Sequence, residues 1–287
     1  METLKIMHII STIAEMQSRA EALRREGKRI GFVPTMGFLH EGHLSLMRAA
    51  RQENDIVACS IFVNPTQFGP KEDLARYPRD AEGDRQKCEA AGVDILFTPS
   101  AEEMYPEQPV VFVTVEGISA ILEGAIRPGH FRGVATVVAK LFHIVKPHRA
   151  YFGQKDFQQC AVIQRMVKGL DLAVEVFILP TMREADGLAM SSRNSYLDAV
   201  QRKKAACLYR ALSTGEALVR SGVREPEKVK EKMHAVIAEE KGVEVDYVEV
   251  ADPDDLSRPT VIQDRIVLLV AVRLGGTRLI DNLLVLC

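Results

Sequence analysis

The chain has 287 residues, 47% hydrophobic and 26% charged, ordinary values for a globular protein able to bury a core without disulfides or structural metal. A formal net charge of −2 lacks the basic excess usual for nucleic-acid binding, yet leaves room for a local basic pocket around a small anion. The five cysteines (Cys59, Cys88, Cys160, Cys207 and Cys287) have neither metal-ligand nor redox spacing and are expected as reduced thiols.

In chain order, Met7–Ile13 is too short and too polar for the apolar core of a leader. Arg29–Val33 then reads as a strand, Gly42–Asn54 as a helix, and Ile56–Val63 as a second strand able to serve either core or interface. Asp80–Ala91 is a charged-faced helix ending at Gly92, and Asp94–Thr98 a third strand. The clearest helix is Phe131–Lys146, with Phe131, Val134, Val138, Leu141, Phe142 and Val145 on one stripe and Pro147 as its stop. Strands at Ala150–Phe152 and Val174–Ile178 flank a helix at Phe157–Lys168. Alternation of this kind predicts βαβ units and an α/β fold with a parallel sheet.

After Pro180 the texture changes. Two solvated helices, Asp198–Arg220 and Pro226–Lys241, precede strand-like Glu244–Val250, Arg265–Arg273 and Arg278–Leu283, with Gly275-Gly276 marking a hairpin. This predicts a smaller C-terminal α+β domain, with a division into 1–180 and 181–287. The longest strong apolar run, Ile266–Val272, is far shorter than a membrane span, so a cytoplasmic protein without membrane contact is expected.

Four segments carry residues suited to chemistry. Pro34–His43 lies at the carboxyl end of the first strong strand, where open α/β sheets place ligands. Gly37 and Gly42 permit close backbone approach, and the next helix offers free N–H groups at its start. His40 and His43, three apart, can face the same way and donate to phosphate oxygens. Two solvated loop histidines or a metal pair are the alternatives, though no third metal ligand is evident. In the second segment, Ser60–Phe68, Asn64 and Gln67 can bind hydroxyl, carboxylate or amine without imposing charge. Asn64-Pro65 also starts a turn unaided, and alone that reading is favoured.

The third segment, Tyr151–Gln159, sets Gly153 after a strand and Lys155 at a helix start, where its charge can meet a phosphate. Asp156 can simply cap that helix. In the fourth, Gly187–Asn194, Ser191, Ser192 and Arg193 can clamp a polyphosphate, or the hydroxyls can form an ordinary turn cap.

Together these segments, with Gly129-His130-Phe131-Arg132-Gly133-Val134 as a fifth block in the same order, resemble the pantoate–β-alanine ligase (pantothenate synthetase) family of the nucleotidylyltransferase superfamily. The resemblance extends from Ile30 through the C-terminal domain. It implies a Rossmann-like domain binding ATP and pantoate, a C-terminal lid domain, and a homodimer. The implied reaction condenses (R)-pantoate with β-alanine through pantoyl adenylate, releasing pyrophosphate and then AMP. ATP is the co-substrate and Mg²⁺ accompanies it.

By motif, the resemblance assigns the ATP site to Met36, Gly37, Phe38, Leu39, His40, Glu41, Gly42 and His43, with His43 as proton donor. It adds Gly153, Gln154, Lys155 and Asp156, the backbone of Met182, and Met190, Ser191, Ser192 and Arg193. Gln67, Gln159, Asn64 and Phe62 are assigned to pantoate, and Gln67 to β-alanine as well. His40, His43, Lys155, Ser191, Ser192 and Arg193 are the expected catalytic set. The chain departs from the family's pattern at Gln154, where Glu is frequent, and at Phe157, where Tyr is frequent. An acidic pair near the metal is present only as Gly83-Asp84, which leaves direct ligands of Mg²⁺ unassigned. A related adenylyltransferase ending at a dinucleotide-like product would not need the neutral Asn64, Gln67 and Gln159 set. A nucleotide-binding regulator would bind ATP without releasing AMP.

Overall fold

Apolar runs bounded by glycine, proline and asparagine become short buried strands, and the amphipathic stretches between them become the covering helices. The computed structural model describes residues 7–70 and 72–287. By contact the chain forms two units, one running to Gly153 and resuming over Val162–Leu179, the other comprising Gln154–Ala161 and Pro180–Cys287. Gln154–Ala161 lies on the first side of the expected division at residue 180 but groups by contact with the second unit.

The chain begins with β1 (His8–Ile10), α1 (Ile13–Arg25), β2 (Ile30–Thr35), α2 (Glu41–Glu53), β3 (Ile56–Ile61), α3 (Ala81–Ala90) and β4 (Ile95–Phe97). It continues through α4 (Ala101–Met104), α5 (Glu123–Ile126), α6 (His130–Val145), β5 (Arg149–Gly153), α7 (Phe157–Gly169) and β6 (Glu175–Leu179). The six strands form one sheet in the order β1-β4-β3-β2-β5-β6, all pairs parallel. From β2 the chain moves to β3 and β4 on one side, then returns to β5 on the other. The strand order therefore reverses at β2, and open sheets bind ligands beside the carboxyl ends of strands at such a point.

Pro34 sits in this central strand without an N–H to donate. It falls beyond the last β2–β5 pair, Phe32↔Ala150, so its missing donor interrupts no bond to β5. Every residue of β3 but Ile61 is buried, which assigns Ile56–Ile61 to the core. Helix α6 buries twelve of its sixteen residues and ends at Lys146 in the left-handed conformation, just before Pro147. Four elements in this unit escape the sequence reading: β1, α1 with its Thr12 cap and buried Met16, Ala20 and Leu23, and the single-turn helices α4 and α5.

In the second unit α8 (Ala199–Ala205), α9 (Cys207–Arg220) and α10 (Pro226–Ala238) precede β7 (Val243–Ala251), β8 (Arg265–Leu274) and β9 (Thr277–Leu286). The expected single helix 198–220 is two helices separated at Ala206, with no glycine or proline to announce the break. The strands form an antiparallel sheet, β7-β8-β9. Gly275 and Gly276 have φ of 57° and 82°, as a tight two-residue hairpin demands. Leu208, Leu212, Met233, Ile237, Leu268 and Val270 fill the core between sheet and helices. All five cysteines are free thiols, four of them buried. No helix among the described residues is long and apolar enough to cross a membrane.

Candidate active site

The turn from β2 into α2 is held from below by one buried carboxylate. Asp84 on α3 accepts from the Phe38 N–H at 2.7 Å and from the Leu39 N–H at 2.7 Å, one on each oxygen. Lys87, one turn further, donates to the Leu39 carbonyl at 2.8 Å. Gly37 adopts φ 83°, and a β-carbon there would sit 3.0 Å from both Asp84 Oδ2 and the Ile61 methyl. The glycine is therefore required both for its conformation and for space. Asp84 is 1% exposed and committed to this turn.

His40 caps α2. Its Nδ1 accepts from the Gly42 N–H at 3.2 Å, and the His43 Nδ1 accepts from the His40 N–H at 3.3 Å, a reciprocal capping box made of two imidazoles. Their ring centroids are 4.1 Å apart. With both Nδ1 atoms acting as acceptors, the proton of each neutral ring is assigned to Nε2. The cap thus makes both histidines Nε2–H donors. Glu41, in the first turn, pairs with Arg48 on the same helix.

At the end of β3, Asn64 is 1% exposed and fully engaged. Its Oδ1 accepts from the Thr66 hydroxyl at 3.0 Å and the Tyr105 hydroxyl at 3.0 Å. Its Nδ2 donates to the Gly133 carbonyl at 3.2 Å and to Gln67 Oε1 at 3.0 Å. That last bond fixes the Gln67 amide, leaving Nε2 as its donor end. The partner found there is the Met36 sulfur at 3.2 Å, a weak acceptor that an oxygen ligand would readily outcompete. Asn64 is therefore the residue that orients Gln67. Phe62 lies 6.2 Å, centroid to centroid, from Tyr105.

Gln67 is also held through its backbone. The His130 Nδ1 and the Gln67 carbonyl are 2.8 Å apart, and Arg127 Nη1 lies 3.0 Å from His130 Nε2. A guanidinium can only donate, so Nε2 accepts and Nδ1–H donates. Burial, then the Arg127 charge, drive the His130 pKa down to about 4, so this tautomer persists near neutrality. Arg127 is gripped in turn by both Glu72 oxygens at 2.7 Å each. Burial would raise the Glu72 carboxyl, but the Arg127 hydrogen bonds and charge outweigh it and hold it below the ordinary range.

In the second unit, Gln154–Asp156 forms a 3₁₀ turn leading into α7. Lys155 Nζ lies 3.5 Å from Asp156 Oδ1, its neighbour in the chain. Gln154 instead donates to Asn282 Oδ1 at 3.3 Å. Gln159, on α7, is half-buried, and its amide has no side-chain partner among the described residues.

Met182 and Met190 meet where Arg183 and Ala189 form an antiparallel bridge: the Met190 N–H donates to the Met182 carbonyl at 2.9 Å. Gly187 turns this hairpin with φ 89°, and a β-carbon there would overlap the Tyr209 ring. Ser191 caps the following 3₁₀ turn Ser192–Tyr196, accepting from the Arg193 N–H at 3.3 Å. Arg183 donates to Asp281 at 2.6 and 3.1 Å and stacks over Tyr209 at 4.3 Å. Burial pushes the Asp281 carboxyl up, against the lowering by Arg183.

Within the first unit, then, His40 with His43, and Asn64 with Gln67 and Met36, are brought together. Within the second, Gln154 and Lys155 share a turn, and Met182 with Met190 forms the root of the serine–arginine loop. Motif reading passes over Asp84's anchoring role, the Glu72–Arg127–His130 chain, and Asp281 with Asn282. Of the residues in that chain and that pair, only His130 falls within one of the five sequence blocks. Among the described residues, no group of three or more His, Cys, Asp or Glu is arranged to hold a metal ion.

The family model described as pantoate–β-alanine ligase matches residues 8–284. A pantothenate synthetase from Moorella thermoacetica is 55% identical over 276 residues, covering 96% of this chain and 98% of that protein. The Thermotoga petrophila pantothenate synthetase is 54% identical, with 96% and 99% covered. The crystal structure of pantothenate synthetase from Thermus thermophilus superposes with a TM-score of 0.92 at 49% identity, covering 96% of this chain and 99% of that one. The Francisella tularensis pantoate–β-alanine ligase, solved with β-γ ATP and β-alanine, gives 0.80 at 37% identity, with 97% and 98% covered. With a family match across nearly its whole length and relatives more than half identical, this chain belongs to the pantoate–β-alanine ligase family.

Proposed function

We propose that the protein joins (R)-pantoate to β-alanine at the expense of ATP, in two steps. The pantoate carboxylate attacks the α-phosphorus of ATP, forming pantoyl adenylate and expelling pyrophosphate. The β-alanine amine then attacks the activated carbonyl, giving pantothenate and AMP. A carboxylate is a poor electrophile, and adenylation supplies the leaving group it lacks. The observation that carries the reading is the reciprocal His40–His43 cap, which makes both rings Nε2–H donors at the mouth of β2.

Negative charge accumulates on the phosphates during adenylation, and preorganised donors stabilise it most when they need no rearrangement. His40 and His43 are the proposed donors, joined by Lys155, Ser191, Ser192 and Arg193. Met36–His43, Gly153–Asp156, Met182 and Met190–Arg193 are the proposed ATP-binding residues. Gln67, its amide turned by Asn64, is proposed to bind pantoate and then β-alanine. Gln159, Asn64 and Phe62 complete the proposed pantoate set. The domains proposed for these tasks are 1–180 for ATP and pantoate and 181–287 as the lid.

Mg²⁺ would neutralise polyphosphate charge. Asp84 spends both oxygens on the Phe38 and Leu39 N–H groups, so the chain offers no dedicated cage there and the ion is proposed to ride on the phosphates. A homodimer in the cytoplasm is the proposed working form. Its support is the segment 109–113, where Val110 and Val111 are 88% and 78% exposed. Pantoate-dependent exchange of pyrophosphate into ATP tests the first step. Exchange driven instead by a phosphorylated acceptor would refute the substrate assignment.

A further inference from the structure

Two consecutive residues of β9, Asp281 and Asn282, grip the two segments of the second unit that carry the proposed phosphate ligands. Each is only 2% exposed. Asn282 Nδ2 donates to the carbonyls of Gln154 at 3.0 Å and Lys155 at 2.8 Å, while its Oδ1 accepts from Gln154 Nε2 at 3.3 Å. This amide has a single workable orientation, because turning it over would set Oδ1 against two carbonyl oxygens. Gln154 locks that orientation, and a glutamate at this position could not donate when ionised.

Asp281 holds the other segment. Its carboxylate receives both Nη atoms of Arg183, and Arg183 also donates to the carbonyls of Gly187 at 3.0 Å and Asn282 at 3.1 Å. Asn194 closes the same loop, donating to the Ala189 carbonyl at 3.0 Å. One short piece of strand thus fixes the turn bearing Lys155 and the root of the loop bearing Ser191, Ser192 and Arg193. Buried polar clusters of this sort are poor sources of stability compared with well-packed apolar side chains. Their value lies in the single geometry they specify.

We propose that Asp281 and Asn282 are positioning residues for adenylation, with Asn282 setting Lys155 and Asp281, through Arg183, setting the Met190–Arg193 loop. This rests on the function proposed above. A displacement of roughly 1 Å at a reacting group can cost about 100-fold in rate, and the clamp prevents such displacement.

The test is pantoate-dependent ATP–pyrophosphate exchange with Asn282→Ala and Asn282→Asp, beside Leu284→Ser as an exposed control on the same strand. Both Asn282 variants are expected to lose about 10- to 100-fold in kcat or to raise KM for ATP comparably. The KM for pantoate should move by less than about 2-fold, and Leu284→Ser should match the parent. Asn282→Asp keeps the side-chain volume, so its loss would report the missing donor. In a Lys155→Ala background, Asn282→Ala should add no more than about 3-fold, since a residue acting through Lys155 has nothing left to position. Should the Asn282 variants fail to fold, Gln154→Ala, at a half-buried site, releases the amide lock and should still lower exchange by about 3-fold. Parent-like exchange in a folded Asn282 variant, equal losses toward ATP and pantoate, or full additivity with Lys155→Ala would each overturn the proposal. Parent protein without pantoate-dependent exchange would instead overturn the underlying function, and this inference with it.

Discussion

Gly133 of α6 lies directly against the turn that presents Gln67: a β-carbon on it would overlap the Thr66 carbonyl oxygen and come within 2.7 Å of the Gln67 Cα. The contact is backbone against backbone, so neither side can yield by changing a rotamer. Gly133→Ala is expected to push Gln67 out of register. Overpacking of this kind costs about 1–3 kcal/mol, and KM for pantoate should rise roughly 10-fold or more while KM for ATP holds. Steady-state kinetics with each substrate varied would decide it, and an unchanged pantoate KM would remove Gly133 from the account of Gln67.

The two histidines have separable duties. Asparagine is a strong N-cap, so His40→Asn should keep α2 within about 1 kcal/mol of parental stability while removing the Nε2–H donor. Adenylate formation should fall sharply despite the intact fold. His43→Ala is expected to lose roughly 100-fold or more, as removal of a transition-state donor commonly does. Single-turnover adenylation paired with thermal melting checks both, and near-normal rates would take the histidines out of the chemistry.

Asp84 anchors the loop and is not expected to ligate Mg²⁺. Asp84→Ala removes the acceptor of the buried Leu39 N–H, at a cost of about 1–3 kcal/mol, and of the part-buried Phe38 N–H, and should weaken ATP binding through a loosened Met36–Leu39 turn. The Mg²⁺ concentration giving half-maximal activity at saturating ATP should nonetheless stay near the parental value. A large rise in that concentration would make Asp84 a metal ligand after all.

His130 makes stability depend on pH in a definite window. Its pKa is about 4 in the folded protein against an ordinary 6.5, so between these values the unfolded chain takes up the proton first. Stability should therefore be unaffected by this group above pH 6.5 and decline as pH falls toward 4, by at most about 3 kcal/mol. His130→Asn keeps a donor for the Gln67 carbonyl and cannot titrate, so its denaturation midpoint should be flatter across that window. Identical slopes for parent and variant would contradict the burial-driven assignment.

The parallel sheet was legible because its strands are apolar runs with clear punctuation, and α6 because twelve of its sixteen residues form a buried face before Pro147. β1 was not, since three residues of which only Ile10 is buried carry no period. The break at Ala206 lacked any helix-breaking residue. Motif resemblance found the residues proposed to touch ligand, whereas their supports lie far off in the chain. Asp84 reaches back 46 residues to Phe38, and Asn282 reaches 127 to Lys155. Such pairings follow from the fold's topology and leave no local pattern. Asn64, proposed as a pantoate contact, also has protein partners at both ends of its amide, Gln67 among them, and that second role leaves no trace in the motif.

The central claim concerns a two-step ligation, and AMP release measured with each substrate left out in turn tests it most directly. With ATP, pantoate and β-alanine together, steady AMP release is expected, matched one to one by pantothenate. Without β-alanine, pyrophosphate should appear in an amount limited to the enzyme present, with no sustained AMP. Without pantoate, neither should appear. Sustained AMP release in the absence of pantoate, or none when all three are supplied, would contradict the account.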